Sequence, residues 1–287
     1  MALPARPGSG IGTRIMQRLL CCLALGLCLS LPAEVHALGT PRFVDVQGKE
    51  GVQLVAGNRA APLVVGKDDF PGVLRAARDL QRDIGKVTGK TPQWHTGAAA
   101  SDVIIVGTLG RHPLIDNLAK QGRLDTRDLA GQWEGFLIQA VEDPLPGVKR
   151  ALVIAGSDKR GTIYGIYTLS EQIGVSPWHW WADVPVSRHA ALSVPLGTRV
   201  QDKPADQYRG IFLNDEAPAP TNWAKERFGG YNRKFYEGLF ELMLRMRANY
   251  LWPAMWGSAF YDDDKGNGEL ADMMGIVMGT SHHEPMM

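Results

Sequence analysis

The chain predicts an α/β protein in two unlike halves, an open sheet with helices against it followed by the first three strands of an incomplete (β/α)8 barrel. Three observations carry that expectation. Between Val52 and Val194 short apolar runs alternate with helical periods, the signature of an α/β layer. After Tyr208 the rhythm changes to strand, long loop, helix, strand, which is how a parallel barrel or doubly wound sheet begins. Three segments there, at Ile211–Leu213, Ala248–Trp252 and Ile276 onward, read as buried strands and run straight into acids, aromatics or histidines. Parallel strands with helical crossovers gather functional side chains at their carboxyl ends, because the following loops open onto one face.

Residues 1–37 read as a secretory signal. Arg14 and Arg18 precede an uncharged run from Leu19 to Leu31, and Pro32 is followed by the small-residue pattern Val35-His36-Ala37, with cleavage expected after Ala37. The run is too short for a bilayer, which takes about 20 residues. Removing Arg6, Arg14, Arg18 and Glu34 turns 31 basic against 30 acidic residues into 28 against 29. A near-neutral product gives no electrostatic case for nucleic acid or an anionic membrane as partner. Cys21, Cys22 and Cys28 all lie in this leader, so an exported product would hold no disulfide, cysteine nucleophile or thiolate metal site.

Residues 38–186 form the first α/β domain. Its strand candidates are Val52–Ala56, Leu63–Gly66, Val103–Gly107, Phe136–Val141 and Leu152–Ala155. Val73, Ala77, Leu80, Ile84 and Val87 share one face of a helix that Thr88-Gly89 ends. Ile163, Ile166, Leu169 and Ile173 mark a second helix, with Gly174 as its left-handed cap. Trp178, Trp180 and Trp181 read as an interdomain plug, weighed against sugar stacking. Residues 187–207, with Pro195 and Pro204, read as a linker, and 208–287 as the start of the catalytic barrel. There a helix over 233–247 carries Phe235, Leu239, Leu242, Met243 and Met246 on one face, capped by Asn232.

The chemistry-bearing residues cluster at the strand ends. Asp215 and Glu216 follow the first strand directly; adjacent acids diverge, so one of the two is expected to face a substrate. Trp223 and Trp256 offer flat rings to the apolar faces of sugars. His282, His283 and Glu284 follow the third strand, where a histidine can hold a hydroxyl or tune a nearby acid. In the first half, Glu134 precedes a strand and could point an acid toward the barrel mouth. Asp262, Asp263 and Asp264 lack the spacing of a calcium loop and read as a solvated turn capping the next helix. The histidine pair lacks the helical zinc pattern, so no metal is assigned.

These motifs resemble glycoside hydrolase family 115, the xylan α-1,2-glucuronidases. The resemblance rests on Phe212-Leu-Asn-Asp-Glu-Ala-Pro218, Thr221-Asn-Trp223, Phe228-Gly-Gly-Tyr-Asn232, Ala248-Asn-Tyr-Leu-Trp-Pro-Ala-Met-Trp-Gly257, Phe260-Tyr-Asp-Asp-Asp264 and Met278-Gly-Thr-Ser-His-His-Glu-Pro285. It implies a hexosaminidase-like α/β domain ahead of the barrel, and a secreted or periplasmic enzyme. The implied reaction removes glucuronic acid or its 4-O-methyl form from glucuronoxylan or acidic xylo-oligosaccharide, with inversion and without a cofactor. Asp215 or Glu216 would be a catalytic or sugar-binding acid, and Glu134, Trp223, Trp256, His282, His283 and Glu284 substrate contacts. Family members are much longer, and fewer than a hundred residues follow Tyr208 here, against about 250 for a closed barrel. The expectation is therefore an incomplete, inactive copy; a non-catalytic carbohydrate-binding fragment and a metal-dependent hydrolase are the competing readings, and a homodimer is compatible with the sequence.

Overall fold

The computed structural model describes residues 41–95 and 100–280, which belong to a compact unit beginning at Arg42. The expected leader lies outside the described residues. In chain order the strands are β1 (Val52–Ala56), β2 (Arg59–Ala60), β3 (Leu63–Val65), β4 (Trp94–His95), β5 (Asp102–Thr108), β6 (Phe136–Leu145) and β7 (Val148–Gly156), then β8 (Leu192–Val194), β9 (Arg199–Asp202), β10 (Gly210–Phe212), β11 (Tyr250–Trp252) and β12 (Val277–Met278). The helices are α1 (Pro71–Thr88), α2 (Pro113–Lys120), α3 (Lys159–Gln172), α4 (Thr221–Phe228), α5 (Arg233–Arg245), α6 (Phe260–Asp263) and α7 (Gly266–Met274). None of them is long and apolar enough to cross a membrane.

The central sheet runs β4-β3-β5-β7-β6-β9, with β4, β3, β5 and β7 parallel, β6 antiparallel to β7, and β9 antiparallel to β6. The middle stretches of its inner parallel strands, Leu63–Val65, Val103–Val106 and Ala151–Ala155, are apolar at every position because both faces are covered. Ile104, Val106, Leu152 and Ile154 face α1 and α3, while Val103, Ile105, Ala151 and Val153 face Ile115 and Leu118 of α2. Helix α3 is buried almost all round, from Gly161 to Ser170, since the sheet lies on one side and α1 and α5 on the other. Asp158 starts it by accepting from the Gly161 amide at 2.8 Å. Gly174, at φ 105°, stops it: the Gly174 amide donates to Glu171 and the Val175 amide to Ser170, the paired bonds of a left-handed helix end.

The segment expected as a linker, 187–207, holds two strands. Leu192–Val194 pairs antiparallel with β1, and Arg199–Asp202 adds an edge to β6. Each is too short to show a sequence period, and each is fixed by a partner distant in the chain.

Past Tyr208 three parallel strands lie in the order β10-β11-β12, with Gly210 opposite Tyr250 and Tyr250 opposite Val277. Helices α4 and α5 link the first two, α6 and α7 the second two. Helix α5 is capped as expected, Asn232 Oδ1 accepting from Lys234 N at 3.0 Å, and it buries Phe235, Leu239, Phe240 and Met243 in the same core as α1 and α3. Each such side chain contributes about 1.5–3 kcal/mol by leaving water. The expectation of a buried first strand fails here: Ile211 and Phe212 remain 43% and 41% exposed, because β10 is an edge strand paired on one side only. Of the three tryptophans expected as a plug, Trp181 packs against the core while Trp178 and Trp180 stay 42% and 40% exposed. Trp181 stacks near Trp223 and Phe235 and donates to the Gly238 carbonyl at 3.3 Å, while Trp180 meets Trp223 and Phe228.

Candidate active site at the carboxyl ends of the strands

Asp215 and Glu216 leave β10 in opposite directions, as neighbouring residues of extended chain must. Asp215 turns inward and is fully buried. Its Oδ2 accepts from the Trp256 amide at 2.9 Å, and its carbonyl accepts from the Thr221 hydroxyl, which lies 3.1 Å from the Tyr231 hydroxyl. Asp215 Oδ1 is buried with no hydrogen-bond partner among the described residues. The side chain thus ties the loop after β10 to the loop after β11 and is closed to solvent. Glu216 points outward and is exposed. Around Asp215 the phenols are held neutral: burial raises both Tyr231 and Tyr236, and the Asp215 carboxyl adds to that.

One face of these strands is aromatic. Tyr208 and Phe212 of the first strand line meet Tyr250 and Trp252 of the second, with ring centroids 5.7 Å apart for Tyr208 and Tyr250 and 5.9 Å for Phe212 and Trp252. The Trp252 indole donates to the Tyr250 hydroxyl at 3.1 Å. Gly279 lies under that hydroxyl, where a β-carbon would come within 2.1 Å of it, so a side chain there would displace the ring. Tyr208, Phe212 and Tyr250 were missed as site residues, although even spacings, four between Tyr208 and Phe212 and two between Tyr250 and Trp252, mark a shared face. Beyond β11 and β12 lies a pocket of about 120 Å³ lined by Pro253, Met255, Phe260, Tyr261, Gly279 and Thr280. Trp256, 49% exposed, stands on the loop above the Asp215 contact.

Residues 201–287 match the pattern of Glycosyl hydrolase family 115, and residues 44–169 that of the Glycosyl hydrolase family 67 N-terminus. A solved family GH115 4-O-methyl-alpha-glucuronidase, described as specific for decorated arabinogalactans, is 33% identical, with a TM-score of 0.69 over 84% of this chain and 30% of its own. The chain is related to glycosyl hydrolase family 115. It spans about a third of that relative's length, 30%. Streptomyces plicatus beta-hexosaminidase, at 12% identity over 84% of this chain and 44% of its own, and CpGH84D, at 10% over 86% and 44%, both have a TM-score of 0.46, too low to carry an argument. No curated protein matches.

Within the family 115 segment the other expected site residues divide. Trp223 is half-buried against Trp181, Phe228 and Phe235, a packing position. His282, His283 and Glu284 lie outside the described residues. The three consecutive acids are spoken for as turn and cap groups: Asp264 pairs with Arg233 and accepts from Gly266 N, Asp262 pairs with Lys265, and Asp263 accepts from Ala259 N. Among the described residues no three His, Cys, Asp or Glu converge as a metal site.

Glu134 is at the wrong end for a substrate. It sits at the amino ends of β10–β12, fully buried, with φ 54°. Arg160 and Arg209 each pair with one of its carboxylate oxygens, and Asn249 Nδ2 donates to Oε1 at 2.7 Å. Arg209 precedes β10 and Asn249 precedes β11, while Arg160 also donates to the carbonyl of Gly275, just ahead of β12, at 3.3 Å. One acid from the first half therefore pins the starts of all three strands. The expectation that Glu134 faces the barrel mouth is corrected: its charge is used up by two arginines and an amide. Tyr164, whose hydroxyl accepts from Arg209 at 3.0 Å, is raised by burial and by this carboxylate.

Proposed function

We propose that the chain carries the opening strands of a (β/α)8 catalytic barrel belonging to a secreted or periplasmic α-glucuronidase. The enzyme would hydrolyse the O-glycosidic bond of (4-O-methyl)-glucuronic acid side chains on xylan, with inversion and without a cofactor. The observation that supports this reading is the placement of an exposed acid, Glu216, and the half-exposed Trp256 just past the carboxyl ends of two neighbouring parallel strands, which end in the ring pair Phe212 and Trp252.

Inversion needs two carboxyl groups about 6.5–9.5 Å apart, one to protonate the leaving oxygen and one to activate water. Glu216 is the acid open to a sugar, and it is proposed as one of the pair. Asp215 is proposed as a positioning residue, because its carboxylate holds the Trp256 amide and faces no solvent. The aromatic face would take the apolar side of the xylan sugars. The second carboxyl is proposed to come from residues outside those described, and the 287-residue chain alone is proposed to turn over little or no substrate.

Release of glucuronic acid from glucuronoxylan, measured for this chain and for a longer protein containing it, tests the reading. The longer protein should be active, and Glu216→Gln in it should lower kcat by about 100-fold or more, the scale of one general acid or base. Full turnover by that variant would remove Glu216 from the pair, and comparable turnover by the short chain would overturn its inactivity.

A further inference from the structure

A second pocket, of about 230 Å³, opens between the last turns of α1 and α5 and the tryptophan segment. It shares no lining residue with the strand-end pocket. Arg82 and Lys86 stand one helical turn apart on α1, 60% and 43% exposed at the side chain. Trp180, 40% exposed, forms the facing wall. The acids that balance these cations lie beneath the surface: Asp79 pairs with Arg82 and Asp83 with Lys86, both acids essentially inaccessible. Glu241 lines the pocket too, but it is paired with Arg75 and Arg245, so the charges left to face a ligand are those of Arg82 and Lys86. His179 adds to the floor without adding charge. Burial, with Lys86 and Arg245 nearby, lowers its pKa. Its Nδ1 lies 3.0 Å from the Ser176 carbonyl, which assigns the proton to that nitrogen and leaves Nε2 to accept from Lys86 at 3.1 Å. The neutral ring so aims the ammonium into the pocket.

A flat indole beside two surface cations is complementary to one kind of ligand, a sugar that carries a carboxylate. The ring takes the apolar face of the pyranose, and the guanidinium and ammonium take the acid through charge-assisted hydrogen bonds. We propose that this pocket is a second carbohydrate site, binding a uronic-acid unit of an acidic polysaccharide with its ring on Trp180 and its carboxylate toward Arg82 and Lys86. The choice of sugar rests on the glucuronidase reading; the site itself rests on the pocket. Such a site would hold the polymer on the protein while the strand-end site works elsewhere along it.

Isothermal titration of the full chain with a glucuronic-acid-decorated xylo-oligosaccharide, the undecorated oligosaccharide and sodium glucuronate tests the proposal. The decorated probe should bind at least about ten-fold more tightly than the undecorated one, and R82Q/K86Q should weaken it by about ten-fold or more, as expected for losing charge-assisted bonds. Glu216→Gln should leave that loss in place as a separate effect. Should the double variant fail to fold by circular dichroism, Lys86→Gln alone, a partly exposed change, should still weaken binding about three-fold or more. Equal affinity in the cation variants and the parent, or equal affinity for decorated and undecorated probes, overturns the proposal. Binding that follows these rules in a protein whose longer form releases no glucuronic acid would leave the pocket standing and the glucuronidase reading fallen; release without such binding would do the reverse.

Discussion

The two ends of the same three strands are built on opposite principles. At the amino ends, Glu134, Arg160, Arg209 and Asn249 form a closed set in which both carboxylate oxygens are taken. At the carboxyl ends, Glu216 is exposed, Asp215 Oδ1 lacks a partner among the described residues, and Trp256 and Phe212 stand half in solvent. Saturated polar groups rigidify and unsatisfied ones are costly, so a sheet that ends this way is fixed at one end in order to be available at the other. The same residue type, a carboxylate beside a strand, is structural in the first case and, under the proposed function, chemical in the second.

The largest effect is expected from breaking the closed end. Glu134→Ala removes the acid while leaving two arginines and a buried amide facing each other, and should cost about 3–5 kcal/mol, read as a drop in the urea midpoint. A loss under about 1 kcal/mol would mean that the clamp is solvated and that the contrast is false. Asp215→Ala should cost less, about 1–3 kcal/mol, and its effect should be local: the Trp256 amide, which now donates to Asp215, should exchange with deuterium much faster. Unchanged protection at Trp256 would detach Asp215 from its positioning role.

A third test uses pH and the ionic layer between the halves, where Arg75 bridges Asp79, Glu237 and Glu241, and Arg245 bridges Asp83 and Glu241. Burial alone would raise the Glu241 pKa, but Arg245 and Arg75 overcome it and hold the group below its ordinary 4.5. A carboxyl lowered by folding gives stability that is complete above its unfolded pKa and is lost as pH falls through the folded one. Asp79 works against it, because burial and Glu241 raise its pKa, so acid relieves part of the cost of its charge. Glu241→Gln should therefore reduce the fall in unfolding free energy between pH 7 and pH 3.5, measured by urea titration, by about 1 kcal/mol; an identical fall in variant and parent would place the acid sensitivity elsewhere. The smallest effect belongs to the open end. Glu216→Gln should change stability by no more than about 0.5 kcal/mol, as exposed substitutions do, and a larger loss would mean that Glu216 is a packing residue after all.

What the sequence discloses follows from the range of the interaction. Leu63–Val65, Val103–Val106 and the spaced apolar residues of α1 are legible because burial on a strand or a helix face repeats at a short period. The parallel strands after Tyr208 are legible as short apolar runs between loops and helices rather than from burial, since β10 is exposed throughout, and the divergence of Asp215 and Glu216 follows from extended backbone. Which acid turns inward is not legible, since it depends on an amide 41 residues away at Trp256. Glu134 is misread more completely, because its partners lie 26, 75 and 115 residues on and nothing local distinguishes it from an acid at a loop mouth. The two short strands at 192–194 and 199–202 fail for a third reason: three or four residues bounded by prolines carry no period, and only their neighbours in the sheets make them strands.

The returning strand β9 has a practical side. It closes the edge of the large sheet at β6, and its Asp202 pairs with Arg247 at the end of the helix that leads into β11. A boundary drawn between 187 and Arg199 would strip β9 from the first half, and one drawn after Asp202 would take the partner of Arg247 from the second. Anyone expressing the halves separately should expect sticky, poorly folded pieces, and a protease that nicks this stretch should leave two fragments that travel together on a sizing column.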